Sequence, residues 1–319
     1  MPRMSRSLRN ASWLALLAVA VATFAVTPAA GRHEQLTPIK VAILPLEPTA
    51  AAMYAKHRGM FRKQGLDAEL KIFSDPSQVL GSLLSGQVQF AATHVGLAAK
   101  LKSDGAPIKV VAAGAIYNPK KPTSNLVSAR GKTIAGARDL VGKTIAIDFP
   151  NTIADLGVKE WLRKRGVDPK SVKFNYVAFP LMIGPLAQGT VDAAFIPEPY
   201  LTQVLQQGSK PIANAFQAVC TKACQLTFWI ARADVDENIR ARFRVAIQNA
   251  SVWANNDKND PISGKILAKY APIDAAVIEK MARTTFGVRL RVSLAKEWLP
   301  VFANYGVIPS SFKPSDLVK

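Results

Sequence analysis

The feature that most restricts this chain is a repeated alternation of short, β-branched apolar runs with helical stretches, joined by brief turns. Ile39–Leu44 reads as a strand and Ala50–Gln64 as a helix stopped at Gly65. Ala68–Phe73 is a second strand, and Asp75-Pro76 starts a helix that ends by Ser85–Gln87. Val88–Ala92 is a third strand, followed by a helix to Lys102 and an apolar strand, Ile108–Ala115. Strands alternating with helices in this way predict a parallel sheet covered on both faces.

The two prolines of Asn118–Ser124 (NPKKPTS) interrupt the pattern, and it then restarts. Leu126–Ala129, Lys143–Asp148, Val172–Ala178 and Asp192–Ile196 read as strands, with helices over Ile153–Arg165, Leu181–Gln188 and Tyr200–Gln207. Within this block Asp139–Thr152 (DLVGKTIAIDFPNT) packs a turn, a buried strand and a helix start, with Asn151 or Thr152 as the cap. Such an end offers free N–H groups and the positive end of a dipole to a ligand. Beyond Cys224 one further strand, Leu226–Ala231, precedes four segments read as helices only: Val235–Asn255, Pro261–Tyr270, Ile273–Thr284 and Ser293–Tyr305. A helical tail without a sheet must pack on an existing lobe. The organisation expected is therefore lobe one at 37–118 plus 225–319 and lobe two at 119–224.

Residues 1–30 stand apart. Arg3, Arg6 and Arg9 precede a nearly unbroken apolar run, Ala11–Val26, and small residues follow at Ala29–Gly31. This is the plan of a cleaved secretory leader, and the run is short for a membrane span of about 20 residues. An exported protein of the periplasm is expected. In an oxidising compartment the only two cysteines, Cys220 and Cys224, are expected to close a small disulfide; a metal site would need two more ligands, and no histidine lies near them in sequence. The formal charge of +19 falls by the three leader arginines to +16. The basic residues are scattered without interleaved aromatics, which reads as solvated faces and not as a nucleic-acid surface.

Signals for catalysis are sparse. Val141–Thr144 (VGKT) resembles a phosphate loop, but that loop needs glycine where Ala137 stands. Neither G-x-S-x-G nor H-E-x-x-H occurs, and His33, His57 and His94 are far apart. No enzyme, catalytic residue, cofactor or metal is therefore expected.

Four stretches in order, Lys40–Leu70, Leu80–Thr93, Asp139–Ile147 and Leu186–Tyr200, resemble the NMT1/THI5-like substrate-binding proteins of ABC importers for nitrate, taurine, alkanesulfonates and related compounds. The resemblance implies an α/β, two-lobed periplasmic binding protein of type II, each lobe a mainly parallel sheet flanked by helices, with the helical C-terminal tail on lobe one. It implies a monomer that captures a small polar or anionic organic solute by hinge closure and delivers it to an inner-membrane ABC permease. The alternative on the same fold is binding or synthesis of a thiamine-pyrimidine precursor, although the synthetic branch uses a cysteine-rich segment that this chain lacks.

If two such sheets face each other, the ligand lies outside the carboxyl ends of their strands. That places Glu47, Thr49, Ser74, Ser77, Thr93, His94, Tyr117 and Asn118 on one side, and Asn151, Thr152, Phe179, Glu198 and Tyr200 on the other. Asn151, Thr152, Ser74 and Ser77 either donate to the ligand or only cap helices. His94 either contacts it or serves as a structural hydrogen-bonder, and Tyr117 and Phe179 suit apolar walls or core. Glu198, which resembles the family's acidic residue at the second crossing, and Glu47 either accept from a ligand amine or clamp the lobes through a salt bridge. The lack of an arginine clamp favours a larger, partly aromatic solute over sulfonate or nitrate.

Overall fold

The computed structural model describes residues 35–319. The expected leader and its cleavage region lie outside the described residues, as does His33. In chain order the elements are β1 (Thr37–Ile43), α1 (Ala51–His57), β2 (Leu66–Ile72), α2 (Pro76–Leu84), β3 (Phe90–His94), α3 (Val95–Ser103) and β4 (Ile108–Ala113). The chain then crosses through β5 (Ala115–Tyr117) into β6 (Ser124–Ser128), β7 (Thr144–Ile147), α4 (Ile153–Arg163), β8 (Lys173–Tyr176), α5 (Ile183–Gln188), β9 (Ala193–Pro197), α6 (Tyr200–Gln206) and β10 (Lys210–Ala213). It returns through β11 (Cys224–Gln225) to β12 (Thr227–Arg232), and closes with α7 (Glu237–Ala254), α8 (Asp260–Leu267), α9 (Ala275–Ile278), β13 (Thr285–Phe286) and α10 (Trp298–Asn304).

These strands form two five-stranded sheets, β2-β1-β3-β12-β4 and β10-β6-β9-β7-β8, and a small third sheet, β11-β5-β13. The fold is two-lobed α/β, and each large sheet is parallel except for one reversed strand. β12 runs antiparallel to both β3 and β4, and β6 antiparallel to both β9 and β10. Alternation within the strands divides the interior between the two faces. Val41 and Ile43 of β1, Ala146 of β7, Ala194 and Ile196 of β9 and Trp229 of β12 enter one core, packed beneath residues of α1, α6 and α7. Ala42, Ile145, Ile147, Ala193, Phe195, Phe228 and Ile230 enter the other, against α3, α4 and α10. Period-two side chains covered on both faces are what a mainly parallel sheet requires.

Several boundaries differ from the sequence pattern for local reasons. The first helix ends at His57, not Gln64, because Gly59 adopts φ +68° and Met60 turns back to bond Ala55 O at 2.8 Å. The run Ile108–Ala115 breaks at Gly114, where a Cβ would stand 2.2 Å from Thr227 Oγ1. The segment Ile273–Thr284 holds only one short helix, Ala275–Ile278. The tail is not helical throughout: Thr285–Phe286 leaves it to pair with β5. The strand β10, short and with exposed Lys210 and Pro211, had no apolar pattern to reveal it.

The tail packs on the first lobe, α7 against α1 and β4, and α10 against α3. It also reaches the second lobe, where Trp298 meets Phe216 edge-on at 5.4 Å between ring centroids. The closest approach in this layer is between α3 and α10: a Cβ at Gly96 would lie 1.8 Å from the Phe302 ring. Gly96→Ala is therefore expected to lower the urea midpoint and cost about 1–3 kcal/mol despite alanine's better helix propensity. Adding Phe302→Leu should recover part of that loss; equal midpoints for wild type and G96A would show that the layer yields freely.

Candidate functional site

The rims of the two large sheets face one cavity of about 100 Å³. The first sheet brings the segment after β1 (Leu44, Leu46, Pro48 and Thr49), the end of β3 (Thr93 and His94) and the start of β12 (Leu226 and Thr227). The second brings Thr123 and Ser124 at the start of β6, Asp148 after β7, Ile153 and Ala154 opening α4, and Phe179, Phe195 and Phe216 as aromatic walls. Two partly open recesses adjoin it. One holds Ser74 beside Asp148 and Phe179; the other, of about 230 Å³, takes in Ser77, His94, Asn151 and Thr152.

Of the polar groups in the cavity, Thr49, His94 and Thr227 are engaged with the backbone that places them, whereas the Thr93, Thr123 and Ser124 hydroxyls make no hydrogen bond among the described residues. Thr49 donates to Leu44 O at 2.5 Å, and Thr227 Oγ1 accepts from Ala115 N at 2.7 Å. His94 is both the last residue of β3 and the N-cap of α3, with Nδ1 accepting the Leu97 N–H at 3.1 Å. An amide can only donate, so the ring proton of neutral His94 sits on Nε2. Burial lowers His94 to about 4, which keeps it neutral over the working range.

Across the cleft, Thr152 caps α4 by accepting from Asp155 N at 3.2 Å, while its own hydroxyl donates to Asp148 Oδ1 at 2.6 Å. Asn151 holds a left-handed φ of +61° and passes its N–H to Asp155 Oδ2 at 2.8 Å. Thr152 therefore serves the site through Asp148. Burial pushes Asp148 up to about 7, against the hydrogen bond from Thr152.

Of the residues expected from sequence, Thr49, Thr93, His94 and Phe179 line the cavity, and Ser74, Ser77, Asn151 and Thr152 line its recesses. The remaining five do not line it. Glu47 is fully buried in a separate cluster, with Arg283 Nε at 3.2 Å, the Tyr54 hydroxyl at 3.0 Å and Thr284 N at 3.4 Å from its carboxylate. Burial raises Glu47 in spite of the Arg283 charge. Glu198 sits beside it and makes no salt bridge among the described residues, accepting from Thr202 N at 3.0 Å and Ala282 N at 3.3 Å; burial pushes it to about 7. Tyr117 accepts from Asn214 at 2.7 Å, Asn118 Oδ1 closes a turn on Lys120 N, and Tyr200 is wholly buried. Cys220 and Cys224 are bonded to each other with Cα atoms 6.1 Å apart, and both are buried.

Sequence reasoning singled out none of Thr123, Ser124, Thr227, Phe195 or Phe216, and it included Asp148 only as one residue of a strand end. Ser124 and Thr227 are the amino ends of the two reversed strands, opposite Pro197 and His94 at the carboxyl ends of β9 and β3. The proline-rich break before Ser124 was the available signal. A chain that crosses at the cleft enters the next sheet from the cleft, so the first strand after a crossing starts at the site.

The model of the family described as NMT1/THI5 like matches residues 48–259. The chain belongs to this family. It is 25% identical over 267 residues to the taurine-binding periplasmic protein of Escherichia coli K12, covering 80% of this chain and 78% of that one. It is 24% identical over 273 residues to the nitrate/nitrite binding protein NrtA of a Nostoc strain, covering 78% of this chain and 61% of the relative. Among solved structures, the alkanesulfonate-binding protein SsuA from Xanthomonas axonopodis pv. citri, bound to MOPS, superposes with a TM-score of 0.72 at 16% identity, over 89% of this chain and 99% of that one. The matched span of this NMT1/THI5-like chain takes in the cavity lining from Pro48 to Thr227 but not Leu44 and Leu46, and Arg283 of the buried cluster lies beyond it.

The electrostatics of Asp148 predict a stability profile. An acid raised from 3.8 to about 7 stabilises the fold fully below pH 4, and that contribution is lost as pH rises through 7. At about 1.4 kcal/mol per unit the loss is on the order of a few kcal/mol. Asp148→Asn should therefore gain on the wild type steadily between pH 4 and 7 in denaturant titrations, with Glu198 contributing a like slope to both proteins. Parallel profiles would mean that Asp148 ionises freely in the folded state.

Proposed function

We propose that this protein is an exported solute receptor of an ABC importer: it binds one small organic molecule between its lobes, closes over it, and presents the closed form to an inner-membrane permease. The observation that carries this reading is the cavity itself, assembled from the rims of two sheets that belong to different stretches of chain. A ligand touching both rims stabilises the form in which they are close, and that differential contact drives closure. The crossings through β5 and β11 serve as the hinge, with lobes at 37–118 plus 225–319 and at 119–224. The names of the taurine and nitrate relatives support the importer role. The expected leader, residues 1–30, supports a periplasmic location.

The site suits binding and not turnover. His94 and Asp148, the titratable side chains in the lining, are each held by the helix cap they help to make. The walls supplied by Phe179, Phe195 and Phe216 fit a solute with an apolar or aromatic body. Thr93, His94 and Asp148 give it polar ends to meet.

Thermal-shift screening of small solutes identifies the ligand, since a ligand at about 100 times its Kd adds about 2.7 kcal/mol. Calorimetry is then expected to give one site per chain, and small-angle scattering a smaller radius of gyration at saturation. A tight ligand that leaves the scattering curve unchanged would refute closure.

A further inference from the structure

The cavity carries an unusual combination for a protein with a formal charge of +19. Among the described residues its lining contains neither lysine nor arginine, and its one carboxylate side chain is Asp148. The positive end of α4, where an anion would otherwise dock, is already answered from within the chain. Asp155 takes the Asn151 N–H, and Asp148 is tied to the capping Thr152. An anionic ligand head would thus meet a carboxyl group, aromatic rings and neutral hydroxyls, with no lysine or arginine in the lining to compensate it, and burying an uncompensated charge is strongly unfavourable.

Beside the Thr93, Thr123 and Ser124 hydroxyls, two polar groups of fixed role stand on different sheets. His94, at the end of β3, presents a fixed donor because its Nδ1 is consumed by Leu97. Asp148, after β7, presents an acceptor because Thr152 anchors it by Oδ1. A donor on one wall and an acceptor on the other match a planar group that carries a carbonyl and an N–H side by side.

We propose that the cavity selects a ligand with an uncharged, amide-like end, its carbonyl accepting from His94 Nε2–H and its N–H donating to Asp148, and that it rejects sulfonate, carboxylate and nitrate. This rests on the solute-receptor reading and names the ligand class of the same site. Asp148 is the specificity-determining residue: a carboxamide satisfies its ionised form, whereas above pH 7 the isosteric carboxylate brings two acceptors together. The apolar body of the ligand lies among the phenylalanines.

The test uses a matched set of probes on the purified protein at about pH 8, where Asp148 is ionised: benzamide, benzoate, benzenesulfonate and nitrate, ranked by thermal shift and calorimetry. Benzamide is expected to bind and the three anions to give no shift at the same concentration. Asp148→Asn, which turns a donor towards the cavity, should weaken benzamide about tenfold and admit benzoate. That gain of binding does not follow from misfolding, and the wild-type ranking stands on its own should the variant fold poorly. Tighter binding of benzenesulfonate or nitrate than of benzamide to the wild type overturns the amide assignment while leaving the receptor reading intact. Failure of all four probes also overturns it, and the receptor reading then rests on the wider screen and the scattering measurement.

Discussion

The arrangement depends on the pairing of the two chain crossings with each other. β5 and β11 lie antiparallel, Cys224 opposite Tyr117 and Gln225 opposite Ile116, and β13 pairs with the same β5. Backbone hydrogen bonds thus bind the outward and the return crossing into one ribbon. Gln225, fully buried, reinforces it by donating to Ala115 O at 3.3 Å and Thr227 O at 2.5 Å. Gly114 permits the approach to Thr227 that no other residue would. Because both crossings are fixed side by side, the sheets they serve have to present their rims to the same space, and the cavity follows from that constraint.

The same constraint explains what the sequence revealed and what it hid. Alternation of β-branched runs with helices was enough to place two sheets and the carboxyl ends of their strands, and Thr49, Thr93, His94 and Phe179 follow from it. Alternation carries no sign of direction. β6 and β12 read as ordinary strands, so their amino ends were left out of the site, although each is the first strand after a crossing and begins at the cleft. Phe216 was hidden for a different reason: it belongs to a short turn with no periodic pattern, and its place is set by Trp298, far along the chain.

The acidic residues show how little a strand-end position says about role. Glu47 and Glu198 stand where a ligand contact is expected, yet both are consumed by a buried network. Its members come from remote positions: Arg283 also donates to Tyr54, 229 residues away, and to Ser263. Glu47 N bonds Glu198 O at 3.4 Å, so the network also joins the segment after β1 to the segment after β9. A buried ion pair of this kind contributes little net stability but is costly to break on one side, which makes it a fixture of geometry. Local sequence could not disclose it, because its partners meet only through tertiary packing.

Net charge misleads in a similar way. A strongly basic chain suggests an anionic partner, but binding energy inside a cleft is decided within a few ångströms, where desolvation outweighs distant screened charge. Here the one acidic group in the lining is Asp148, and its carboxyl is kept near 7 by the same burial that would penalise any anion beside it. Asp139–Thr152 therefore acts differently from the helix-terminus anion site its sequence suggests. Its strand delivers Asp148, its cap residue Thr152 spends its hydroxyl on holding that carboxyl, and Asn151 bends the chain through a left-handed turn so that Asp155 can close the helix end. A helix start whose dipole is already met by the protein's own carboxylates has no call for an anion, and the chemistry it offers a ligand is that of an acceptor.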